Sequence, residues 1–189
     1  MQMSFRELVT ALHGMAFGGL LLLAFAGALI EFRRICHPDK SAAPTVYEWK
    51  FLRSYLIGMA VLAWGAVLSG AYVVYPWYRA HPPAGTTDLT EYARSSLLAH
   101  PATAGWHNVG MEWKEHVAWF APIALTMVAY VFIKYGSELS RHRQIRRAAF
   151  GFTVAAFIAA GIAGLFGALI TKNAPVRGGA VIRFMEETK

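Results

Sequence analysis

A single cysteine, Cys36, stands among 189 residues. An internal disulfide, a CxxC redox pair and covalent c-type haem attachment through CxxCH are therefore excluded, and Cys36 reads as a free thiol in a loop. Acidic residues are also scarce, 11 against 18 lysines and arginines, and the pI near 9.8 would suit a nucleic-acid binder. The basic residues argue otherwise, because they gather in two short loops between apolar blocks. Internal repeats, glycine-rich nucleotide loops and low-complexity tracts are missing as well. No nucleic-acid partner is expected.

What the chain has in quantity is apolar sequence, 56% of its residues, arranged in long blocks. Four blocks approach or pass the roughly 18 apolar residues that a membrane span needs. They run over 8–30, 55–78, 117–133 and 148–171, the third reaching across only with Trp113, His116 and Tyr135 at its edges. Ala24-Phe25-Ala26 mimics a signal-peptide cleavage site, but the run before it is too long for an ordinary leader, so it is expected to be retained. The expected fold is an all-α integral membrane protein: one domain over 1–189, with four transmembrane helices in an up-down bundle.

Charge sets the orientation. Arg33, Arg34, Lys40, Lys50 and Arg53 follow the first block, and Lys134, Arg141, Arg143, Arg146 and Arg147 follow the third. By the positive-inside rule these loops face the cytoplasm of a bacterial inner membrane. Both termini, the 172–189 tail and the 79–115 loop then lie outside. That loop is expected to be structured, since His81-Pro82-Pro83-Ala84-Gly85 breaks the second helix and Asp88-x-x-Glu91 resembles a capping box. Leu89, Tyr92, Ala93 and Leu97 would share one face of a short helix over 88–99. Ser4-x-x-Glu7 predicts a capped start for the first helix. Small residues at four-residue spacing (Gly14 and Gly18, Ala66 and Gly70, Ala156 to Ala168) suit close helix packing.

Seven histidines carry the functional question. His37 and His142 fall in the basic loops, and His81 and His100 precede prolines in the outer loop, where a solvated role suffices. His107 stands near the membrane threshold with no assigned role. His13 and His116 lie in or at the edge of the hydrocarbon, where an ionisable group is a functional hypothesis by default. His13 stands 20 residues before Arg33 and His116 stands 18 before Lys134. At about 1.5 Å rise per residue, their heights differ by about 3 Å. In an up-down bundle their helices are diagonal, about 12–14 Å apart, a gap that suits a haem between two axial imidazoles. Glu112, one turn before His116, is a candidate hydrogen-bond partner, and Arg6 and Lys114 are candidate counter-charges for propionates.

Level histidines on two spans, with Gly14 and Gly18 beside His13, resemble the small four-helix cytochrome b-type subunits of bacterial respiratory complexes. The resemblance implies an electron-transfer subunit with haem b held by His13 and His116, near Gly14, Gly18 and Glu112. Its partners would be other membrane subunits, lipids and an outer-side redox protein such as a cytochrome c. No second histidine pair exists near the cytoplasmic side, so one haem is expected, towards the outer face. A quinone is a further expected ligand, with His107 or Glu112 accepting protons. Two alternatives stay open. One is a cofactor-free accessory subunit whose histidines and tryptophans are structural. The other is a copper-handling protein using His107, Met111, Glu112 and His116.

Overall fold

The computed structural model describes residues 2–36 and 45–183. His37 and the side chain of Cys36 lie outside the described residues; the backbone of Cys36 closes a helix rather than entering a loop. A short strand β1 (Gln2–Ser4) leads into α1 (Phe5–Ile35), followed by α2 (Glu48–Tyr78), a short α3 (Ala93–Leu98), α4 (Pro101–Arg141), α5 (Arg143–Asn173) and β2 (Val181–Arg183). The described residues are thus all-helical apart from a two-stranded ribbon, and four of their helices are long and apolar enough to cross a membrane.

Local chemistry explains most boundaries. Ser4 Oγ accepts from the Glu7 N–H at 3.2 Å while Glu7 Oε2 accepts from the Ser4 N–H at 2.9 Å, so the expected capping box starts α1. A second box, Thr45 with Glu48, starts α2, which places Lys50 and Arg53 on a helix instead of in a loop. The 88–99 expectation needs correcting. Asp88 Oδ1 accepts from the Thr90 N–H at 2.9 Å, a local turn that competes with helix, and α3 begins only at Ala93. That bond holds the Asp88 carboxyl below its ordinary range. The outer loop also ends sooner than 115. Pro101 fits the first helical turn, where its missing N–H costs nothing, and α4 runs on from there. Pro122 leaves the Ala118 carbonyl without its helical donor, and Ala121 N–H takes it at 3.2 Å.

Helix α1 packs on α2 and α5, and α4 packs on the same two, which leaves α1 and α4 across from each other. Phe25, Phe32, Leu56, Leu125, Val128 and Phe132 fill the centre at no more than 1% exposure. A second, smaller core joins Tyr78, Ala93, Leu97, Met111 and Ile170 at the end of the bundle beneath α3. At that end β1 pairs antiparallel with β2, Met3 opposite Ile182, tying the segments before α1 and after α5 together. Phe5 and Arg6 both pack on Trp77 there, so Arg6 belongs to this end cap and not to the interior.

Close approach falls on glycines other than the Gly14 and Gly18 pair. A Cβ on Gly14 would meet nothing within 4 Å, whereas one on Gly27 would lie 2.7 Å from Tyr55 Oη. That hydroxyl donates to the Ala24 carbonyl at 2.7 Å. Gly27→Ala is expected to displace it and cost about 1 kcal/mol, the worth of one hydrogen bond. Thermal unfolding in detergent should show the loss, and adding Tyr55→Phe should recover most of the steric part.

Candidate functional site

Each of the four long helices contributes a residue at one level in the half of the bundle nearest the chain termini. His13 lies 8 residues in from Phe5, Gly70 lies 8 in from Tyr78, and Gly167 lies 6 in from Asn173. Lys114 of α4 completes the layer. Three of the helices widen at this height. Leu12–Gly19, Gly70–Val74 and Trp113–Val117 are π-helical, with Ala118 N–H reaching the Trp113 carbonyl, five residues back, at 3.1 Å. A π turn holds an extra residue per turn and is common at functional sites, because it re-aims side chains that a regular helix would stack.

His13 is fixed by two features of α2. Its Nδ1 lies 2.8 Å from Ser69 Oγ. The serine hydroxyl carries one proton, which it donates to the Gly65 carbonyl at 2.6 Å, so its lone pair receives the imidazole N–H. This sets the tautomer: Nδ1 holds the hydrogen and Nε2 presents a bare lone pair. Gly70 makes room for the ring, since a Cβ there would lie 2.9 Å from His13 Cε1.

Lys114 enters the same layer from α4. The side chain is half-buried, and its ammonium lies against α5, where a Cβ on Gly167 would lie 2.9 Å from Nζ. It is close enough to act electrostatically on His13. Among the described residues no carboxylate pairs with it. The neighbouring Glu115 turns instead towards Tyr75, Tyr78 and Arg79. A lone-pair acceptor and an unpaired ammonium therefore share one small layer inside an apolar bundle.

The other candidate residues lie elsewhere. His116 is on the outside, with its side chain 70% exposed. Its Nδ1 lies 3.1 Å from the Glu112 carbonyl and 3.5 Å from the Glu112 carboxylate, so the contact between these two residues is present, on the outer surface. Two positions along this π-helical turn differ by about 160° in direction, so with Lys114 facing in, His116 faces out. His107 stands above the site in a separate chain of contacts. Tyr78 Oη lies 2.7 Å from its Nδ1, and Arg94 reaches its Nε2 at 3.5 Å. Met111 is buried in the smaller core while Glu112 and His116 face outward, so the proposed copper set is not gathered. Among the described residues no three His, Cys, Asp or Glu side chains could share a metal ion.

These placements fit a haem in part. His13 has what an axial imidazole requires, an Nδ1–H held by an acceptor and a free Nε2, and Lys114 can balance a propionate. His116 does not face the same interior space, so a haem clamped between these two side chains of one chain does not fit the arrangement. Trp113, expected at a lipid interface, donates its indole N–H to the Ala159 carbonyl at 3.2 Å and so braces α4 against α5. No protein-family model, curated protein or solved structure matches the chain.

Proposed function

We propose that the chain spans the bacterial inner membrane four times, up and down, with both termini on the outer side. On this reading it serves as an electron-transfer subunit that binds a redox ligand in the outer half of the bundle. The apolar exterior supports insertion: Met15, Leu23, Ile30 and Val61 are 65–75% exposed, surface that lipid covers at no cost. The pairing of β1 with β2, which flank the four long helices, agrees with an even number of crossings.

The ligand site rests on one observation, the convergence of three π-helical turns on the anchored His13 and the unpaired Lys114. Haem b would be held through His13 Nε2, with Lys114 opposite a propionate; when bound, it supplies one-electron transfer. The protein positions the imidazole through Ser69 and keeps bulk water out with the Phe25 to Phe132 core below. A quinone is a second reading that the same pair favours. Lys114 offers a donor to a carbonyl oxygen, and the lone pair on His13 can accept a quinol proton. Other membrane subunits and an outer-side redox protein, a cytochrome c for instance, would exchange electrons with it.

An absorption spectrum and a solvent extract of the purified protein test this. A Soret band with a sharpened reduced α-band supports haem, and a quinone in the extract supports the second reading. His13→Ala should abolish either signal, while His107→Ala and His116→Ala should leave it. A colourless, quinone-free preparation from haem-sufficient cells would sink both readings.

A further inference from the structure

At the opposite end of the bundle, where α2 begins and α4 ends, Trp49, Lys50, Arg53, Phe132, Gly136 and Ser137 line a half-open cleft of about 100 Å³. The rings of Trp49 and Phe132, 5.9 Å apart, form its apolar floor. Trp49 is only 6% exposed, yet its indole N–H meets no acceptor among the described residues. Lys50 and Arg53 likewise enter none of the ion pairs among those residues. Among the described residues the lining holds no carboxylate. Every polar side chain in it, the indole, the ammonium, the guanidinium and the Ser137 hydroxyl, can donate a hydrogen bond. Gly136, at φ +50°, ends the straight run of α4 and turns the chain along the cleft.

A pocket made only of donors and two cations over an aromatic floor calls for a compact anion with several acceptor oxygens. We infer that this cleft binds the phosphate group of an anionic phospholipid at the inner surface of the membrane. The choice of a lipid over free phosphate follows from the neighbouring surface. Within two turns along the same helices, Phe51, Ile57, Tyr130 and Ile133 are exposed at 57%, 39%, 57% and 50%, an apolar path for acyl chains beside the headgroup. Basic clefts between spans on the inner side are suited to such headgroups. The inference uses the membrane orientation proposed above and is independent of any redox ligand.

The test measures lipid retention by native mass spectrometry of the full chain in neutral detergent, titrated with phosphatidylglycerol and, separately, with phosphatidylcholine. The expected result is one tightly retained phosphatidylglycerol and no comparable phosphatidylcholine. Lys50→Gln with Arg53→Gln should weaken retention about thirtyfold, the loss of two basic contacts near a headgroup. Trp49→Phe keeps the ring packing and removes only the N–H, so it should weaken retention by a smaller factor without lowering the melting temperature. A Lys172→Gln control should change nothing. Equal retention of the two lipids, or undiminished phosphatidylglycerol in the double variant, would overturn the proposal. Displacement of the lipid by millimolar inorganic phosphate would keep the anion site and overturn its assignment to lipid. Because the cleft is remote from His13, the haem and quinone signals should be untouched by all these variants, so failure here is distinct from failure of the redox reading.

Discussion

Lys114→Met is expected to raise the melting temperature of the ligand-free protein and at the same time to remove ligand binding in the outer half of the bundle. Lysine and methionine are alike in length and flexibility, so the exchange keeps the packing against Gly167 and deletes the charge. A lysine at the centre of a span costs about 2.5–3.5 kcal/mol by insertion measurements. Lys114 recovers little of that cost, because no carboxylate pairs with it among the described residues. The side chain is partly accessible, so only part of the cost is recoverable, about 1–2 kcal/mol. Circular dichroism melts in detergent would show the gain, and the spectrum or quinone extract would show the loss. Stability without function is the signature of a residue kept for what it binds. A methionine variant that is less stable than the parent and still loaded with ligand would show that Lys114 is a structural element, and the site reading would fall.

The four long helices were legible because a long apolar block advertises itself by length and composition, and the structure lengthens each block without moving any. The first capping box was equally legible, since Ser4 and Glu7 satisfy each other within one turn. The helical restart at Pro101 was harder to read. Gly105 and Gly110 look like loop residues, yet the stretch is helical, with Trp106 and Met111 packed in the smaller core. His13 stood out in sequence as an ionisable group deep in an apolar run. Its partner was misjudged because height along the axis was compared and direction around it was not. Among the buried residues of α4, Met111, Ala121, Leu125, Val128 and Phe132 fall on one seam of alternating three- and four-residue steps. Extended back through Ala118, that seam lands on Lys114 and leaves His116 on the opposite side. Ser69 carried no signal of its own in sequence. Its role appears only when α1 brings an imidazole to it.

Gly70→Ala should destabilise the protein by about 1–3 kcal/mol, the range for overpacking a filled interior, and should weaken ligand binding with it. The new methyl would stand 2.9 Å from His13 Cε1 and 3.4 Å from Nε2. A free ring would swing aside cheaply. This ring is tethered, because moving it breaks the 2.8 Å bond to Ser69, whose hydroxyl is already committed to Gly65. Gly14→Ala, one residue after His13, supplies the contrast. It meets nothing within 4 Å and should be neutral or gain up to about 1 kcal/mol from helix propensity. The decisive comparison is Gly70→Ala made in a His13→Ala background. With the ring gone the methyl has nothing to strike, so the same substitution should now cost little, and the two changes should be non-additive by more than about 0.5 kcal/mol. Additive losses would mean that His13 does not lie against Gly70. The lone pair that makes His13 a ligand would then point somewhere other than the layer where Lys114 ends.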